Sequence, residues 1–301
     1  MDGSPSSPAW VRIRGTSEGP RFRNVPRPGE SRRLGPSRLS WARPTLPGEP
    51  TPHREDTRWT APTPLRWPGE RPVPEPVVRA RDLGRRFGGR WALGRVDLDL
   101  LQGERLLLMG RNGGGKTTLL RLFSTLLAPS RGTVAIFGLD PAREAYRIRR
   151  RLALLAHLPF LYEDLSGPDN LRVVARLVGR ADDPAPWLAR VGLDPRPDPV
   201  RTWSAGMRKR LSFARLLLQE PELALIDEPY GQLDPDGHAW VDGLLKEMAS
   251  AGTTVIVASH LVDRASALCQ RALLLHDGLP RWSGPSDQAP RAWTCFQERA
   301  S

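Results

Sequence analysis

Cysteine is nearly missing from this chain: Cys269 and Cys295 are the only two among 301 residues. Neither has a metal-ligand neighbourhood, which excludes a disulfide framework and a zinc site and predicts a reducing compartment. Lysine is almost as scarce, with Lys116, Lys209 and Lys246 set against 42 arginines. The formal net charge of +12 is therefore an arginine charge. A GC-rich coding background accounts for that skew as well as a polyanionic partner would, so the expected role of the charge is a solvated surface, with no specific nucleic acid required. No apolar run approaches the length of a membrane-spanning helix. The first residues, Met1-Asp2-Gly3-Ser4-Pro5, lack the apolar core of a secretion signal. These absences predict a soluble chain that stays inside the cell.

The sequence is rich in proline and arginine, and unevenly so. Residues 1 to 75 hold 15 prolines and 13 arginines, with no sustained periodicity. Such a segment buries too little apolar surface to offset its ordering entropy, which predicts a disordered leader, or upstream sequence read from a start codon placed too early. Trp10, Trp41, Trp59 and Trp67 are scattered through it without pattern. Order is expected from Val77. Val77–Leu83 and Val96–Leu100 alternate as half-buried strands around a turn at Phe87-Gly88-Gly89-Arg90. Further strands are predicted at Arg105–Met109, Thr133–Phe137, Leu223–Asp227, Thr253–Ala258 and Arg271–Leu275. Helices are predicted over most of residues 140–152 and 168–192, and over 205–219 and 235–250, with a tail from 286 to 301. Apolar strands alternating with helices imply an α/β domain with a largely parallel sheet and peripheral antiparallel strands. No internal repeat appears, so one nucleotide site is expected per chain.

Three stretches carry chemistry. The first is Gly110-Arg111-Asn112-Gly113-Gly114-Gly115-Lys116-Thr117-Thr118, which fills the Gly-x-x-x-x-Gly-Lys-[Ser/Thr] phosphate-loop pattern between a strand and a helix. Glycines 113, 114 and 115 let backbone N–H groups face a phosphate, and the helix start adds favourable partial charge. Lys116 would reach the β and γ phosphates, and the Thr117 hydroxyl would ligate Mg²⁺. In the second stretch, the apolar run Leu223–Ile226 ends in Asp227 and Glu228. Asp227 would then hold Mg²⁺ at the sheet edge, and Glu228 would act as general base towards water. The third is Trp203-Ser204-Ala205-Gly206-Met207, where small residues open an amphipathic helix with a serine hydroxyl and free N–H groups, again an anion-binding start.

In this order the three stretches resemble the ATP-binding subunit of an ABC transporter, over about residues 77 to 284. The resemblance implies a P-loop NTPase fold with a RecA-like parallel core, a peripheral antiparallel β region and an α-helical subdomain near 140–205, the cassette running from 76 to 285. It also implies site roles. Phe87 matches the aromatic residue that stacks on adenine. Ser204, Ala205, Gly206 and Met207 stand at the signature motif that closes over ATP bound to a second subunit, in a form that departs from Leu-Ser-Gly-Gly-Gln. Asp234 matches the D-loop aspartate, His260 the switch histidine at the γ-phosphate. His157 stands where the family carries its Q-loop glutamine. His157-Leu158-Pro159 and the Ser-Ala-Gly signature look most like the haem-exporter branch associated with cytochrome c maturation. The implied protein is an ATPase with ATP and Mg²⁺ as cofactors and Lys116, Glu228 and His260 as catalytic residues. It would work as a head-to-tail dimer against a separate integral membrane subunit, on the inner face of the membrane. Another exporter of drug or lipid is the alternative within the family. A soluble ABC ATPase acting on DNA or ribosomes is the rival outside transport; it usually needs two cassettes or a coiled-coil insertion, and this chain has one cassette and no room for a coil.

Overall fold

The structure, a computed structural model, describes residues 75–156, 160–180 and 183–299. The leader expected over 1 to 75 lies outside this range except for its last residue, and so does His157.

The chain opens with a long antiparallel hairpin, β1 (Val78–Phe87) and β2 (Arg90–Leu100), followed by the short buried strand β3 (Arg105–Met109) and α1 (Lys116–Phe123). Next come β4 (Arg131–Ile136), α2 (Pro141–Arg149) and β5 (Leu152–Leu155). Three helices follow, α3 (Gly167–Leu177), α4 (Pro184–Arg190) and α5 (Ala205–Leu218). The last part alternates β6 (Leu223–Asp227), α6 (Pro235–Ser250), β7 (Thr254–Ala258), α7 (Val262–Ser266), β8 (Arg271–His276), β9 (Leu279–Pro285) and α8 (Ala289–Arg299).

Two sheets result. β2-β1-β4 is antiparallel, and β5-β6-β7-β3-β8-β9 is parallel except for β9. The central strands are apolar on both faces because both are covered. On β3, Leu106 and Leu108 join a core with α1, α2 and the antiparallel sheet, whereas Leu107 and Met109 join the core under α3 to α8. Across the sheet, Leu108 pairs with Ala258 and Ala258 with Asp227, so the carboxyl ends of β3, β7 and β6 finish in one row. In open α/β sheets that edge is where ligands bind.

The α/β class with a peripheral antiparallel region, expected from the sequence, is what the chain adopts. Three local expectations are corrected. The helix expected over 140–152 ends at Arg149, and Leu152-Ala153-Leu154-Leu155 is the edge strand β5 of the main sheet. A short run apolar on every side fits a buried strand as well as a helix, and pairing with β6 decides. Residues 286–301, expected as a tail, carry α8, because Ala289, Ala292, Trp293 and Phe296 repeat at helical spacing and pack on the core. β9 was not expected at all. It carries Pro280 and Pro285, and proline is tolerated on an edge strand such as this one.

Candidate active site

Leaving β3, the backbone turns at Gly110 with φ +148°, where a Cβ would stand 2.1 Å from the Leu275 carbonyl oxygen. Only glycine fits there. Gly113 and Gly115 also take positive φ, and α1 then begins at Lys116 with no side chain capping its first turn. In contrast, α2, α3, α4, α5 and α6 each begin on an Asp or Ser that accepts from their first-turn N–H groups. The first turn of α1 is left for an anion.

Lys116 is buried, and its Nζ donates to the carbonyls of Gly110 at 2.7 Å and Arg111 at 3.2 Å. Burial lowers its pKa, and the Glu228 and Asp227 carboxylates pull in the other direction. Asp227, 2% exposed, closes β6, and its Oδ2 accepts from Thr117 Oγ1 at 2.8 Å. A hydroxyl and a carboxylate brought together from two elements are oxygen donors of the kind a hard divalent cation takes, so the pair fits Mg²⁺ completed by phosphate and water.

Glu228 follows in the left-handed region, φ +49°. Its N–H donates to the Ala258 carbonyl at 2.8 Å, and its carboxylate, 14% exposed, lies 2.8 Å from His260 Nδ1. A carboxylate only accepts, so Nδ1 carries the proton of this bond. The His260 side chain is 60% exposed and reaches Glu228 from the solvent side.

These groups share one cleft of about 420 Å³, lined by residues 112–118 with Ala92, Asp227, Glu228, Gly231 and His260. A larger groove of about 620 Å³ between β8, β9 and α8 contains none of them. The structure thus brings together Asn112, Gly113, Gly114, Gly115, Lys116, Thr117, Thr118, Asp227, Glu228 and His260, with Gly110 and Arg111 holding the loop from behind through their carbonyls. It does not bring in the rest. Phe87 ends β1, 46% exposed, with its ring against the Arg85 guanidinium and outside the cleft lining. Ser204 caps α5 by accepting from Met207 N–H at 3.1 Å, and neither it nor Ala205, Gly206 or Met207 lines the cleft. Asp234 caps α6 through Gly237 N–H at 2.7 Å, away from the cleft.

Sequence reasoning missed Lys209. It lies on α5, is 8% exposed, and donates from Nζ to the Glu228 carbonyl at 2.7 Å. Burial pulls its pKa down to about 8 against the opposing effect of Asp227 and Glu228. The scarcity of lysine was the one hint in the sequence: of three lysines, two are buried within the electrostatic reach of Asp227 and Glu228.

The chain is similar to known proteins in sequence and in fold. The family model described as ABC transporter matches residues 93–231. The daunorubicin resistance ATP-binding protein DrrA3 of Streptomyces coeruleorubidus is 37% identical over 213 residues, covering 68% of this chain and 66% of that protein. The uncharacterized ABC transporter ATP-binding protein YdbJ of Bacillus subtilis is 34% identical over 208 residues, covering 68% of each. Among solved structures, the dimeric bacterial ABC transporter cassette MJ0796 superposes with a TM-score of 0.64 at 25% identity, covering 69% of this chain and 98% of that one.

Proposed function

We infer that this chain, which belongs to the ABC transporter family and carries its ATPase domain, hydrolyses ATP to drive export through a separate membrane subunit. The observation that supports this best is the single cleft in which an uncapped helix start, Lys116, Thr117–Asp227 and Glu228–His260 meet. The first turn of α1 and Lys116 receive the β and γ phosphates. Thr117 and Asp227 would hold Mg²⁺, which would supply positive charge against the phosphate oxygens. Glu228 takes a proton from a water that attacks the γ-phosphorus; the new P–O bond forms as the bridging bond to ADP breaks. His260 keeps the Glu228 carboxylate turned into the cleft. Positioning and charge stabilisation supply most of the acceleration.

Phe87, Ser204 to Met207 and Asp234 do not line the cleft of one chain. Ser204 and Gly206 open a helix away from it, which supports a head-to-tail dimer in which each signature covers the other chain's ATP. Phe87, exposed and outside the cleft lining, would stack on adenine where the base leaves the cleft. The similar cassette MJ0796 is itself dimeric. Among the described residues no helix is long and apolar enough to cross a membrane. The name of the similar YdbJ, an ABC transporter ATP-binding protein, supports a separate membrane subunit as the transport path, on whose inner face this chain would sit.

For the cargo, the name of DrrA3 favours an antibiotic-like compound. A second reading, haem export for cytochrome c maturation, rests on His157-Leu158-Pro159 and the Ser204-Ala205-Gly206 signature. The deciding experiment is a pull-down of the tagged full chain from native membranes with mass spectrometry. An integral permease is expected to come with it. Cytochrome c maturation proteins in its company select haem; an unrelated permease selects the antibiotic reading; ribosomes or DNA with no membrane protein would overturn transport.

A further inference from the structure

We propose that Lys209 is a positioning residue for hydrolysis: from the signature helix it holds the backbone carbonyl of Glu228 and so sets where the general base points. The inference rests on the ATPase reading above and adds a physical link within it.

Glu228 occupies a conformation that a non-glycine residue adopts only when its surroundings enforce it, φ +49°. Three atoms of the residue are held. Its N–H donates to Ala258 O at 2.8 Å, its Oε2 accepts from His260, and its carbonyl accepts from Lys209 Nζ at 2.7 Å. The only other donor to that carbonyl among the described residues is Gly231 N–H, at 3.4 Å. The lysine is thus the short bond of the pair. Without it the carbonyl keeps only the long Gly231 bond; Pro229 fixes the φ that follows, so the freedom gained lies in Glu228 ψ, and a change there tilts the left-handed turn on which the carboxylate is mounted.

The origin of the bond matters as much as its length. Lys209 stands five positions after Ser204, on the helix whose start is expected to engage the partner's nucleotide, roughly 7 Å along its axis. Burying an ammonium is costly unless it is paired, and here the pairing is with a peptide carbonyl, the two carboxylates lying near enough to favour the charge. A buried lysine retained there has a task that packing alone would give to an apolar side chain. It makes the aim of the base in one chain depend on how α5 is seated, and α5 is seated by what its first turn binds.

The test is steady-state ATP hydrolysis by the full chain with Lys209→Met, which keeps length and removes the donor, and with Lys209→Arg, which keeps a cationic donor. For Lys209→Met, kcat is expected to fall about 10- to 100-fold while KM for ATP stays within about 3-fold, because the base is mis-aimed and the phosphate site is untouched. Lys209→Arg is expected to fall between that variant and wild type. Wild-type kcat in Lys209→Met, a rise in KM as large as the fall in kcat, or Lys209→Arg failing as completely as Lys209→Met would each overturn the assignment. Should Lys209→Met not fold, Lys209→Gln replaces it under the same kcat and KM criteria. A wild-type chain that turns over no ATP would instead sink the ATPase reading itself, which keeps the two failures apart.

Discussion

The phosphate-facing half of the site and the signature helix start are built to opposite standards. Around Asp227 the groups are already in contact, with Asp227 and Lys116 themselves buried: Thr117 on one carboxylate oxygen, Lys116 on the loop carbonyls, Glu228 bound to His260. Around Ser204 the contact is a helix cap, with no partner from the cleft. On the dimer reading proposed above, one half-site is complete within a chain and the other half is a helix start capped only by its own serine, so nucleotide binding should need one chain and turnover two.

The largest effect is expected at the finished half. Glu228→Gln should lower kcat by at least about 100-fold while the dissociation constant for a fluorescent ATP analogue stays within a few-fold, because the amide keeps the shape and loses the basicity. Turnover at the wild-type rate would remove Glu228 from the role of base.

At the open half, Ser204→Asp sharpens the comparison. Aspartate caps a helix as well as serine does, so the melting temperature should hold, whereas a negative charge facing a phosphate should lower turnover about 10- to 100-fold. Mixing Ser204→Asp chains with Lys116→Ala chains leaves one intact site in each mixed dimer, and about a quarter of wild-type activity should return if the dimer is symmetric and head-to-tail. If the mixture stays inactive, the shared-site reading is wrong.

A smaller, purely structural effect is expected behind the signature. A Cβ on Gly167 would stand 2.3 Å from the Trp203 ring. Gly167→Ala should therefore cost about 1–3 kcal/mol by overpacking, visible as a melting temperature lower by several degrees, with ATP affinity unchanged. The mildest test concerns the two thiols. Cys295 is exposed, whereas burial pushes the Cys269 thiol up to about 12. At pH 8 a disulfide reagent such as Ellman's should titrate one fast thiol in the native chain and the second only after unfolding. Two fast thiols would mean that the core beneath α8 is loose.

The finished half was legible in the sequence because its members sit in short runs whose spacing is fixed by the backbone: Gly110 to Thr118 around one turn, Asp227-Glu228 at one strand end, His260 just beyond β7. What could not be read depends on contacts distant in the chain. Lys209 meets Glu228 across 19 positions, and nothing local marks a helical lysine as turned inward. Leu152–Leu155 became a strand only because β6 lies alongside it. Phe87 carries the right residue type for an adenine platform, yet its ring lies outside the cleft lining.

The phosphate loop is braced from the side opposite its ligand. The turn between β8 and β9 donates from Gly278 N–H to the Gly114 carbonyl and receives a bond from Gly94, while Leu275 O sits where a side chain of residue 110 would be. The loop is therefore ordered when the domain folds, before any nucleotide arrives. Its conformational entropy is lost at that stage and is not lost again on binding. Nucleotide affinity should then depend on the attraction between charges and N–H groups already in place. Loosening the far hairpin, with no change to a single phosphate contact, should weaken ATP binding by making the loop pay for its own order.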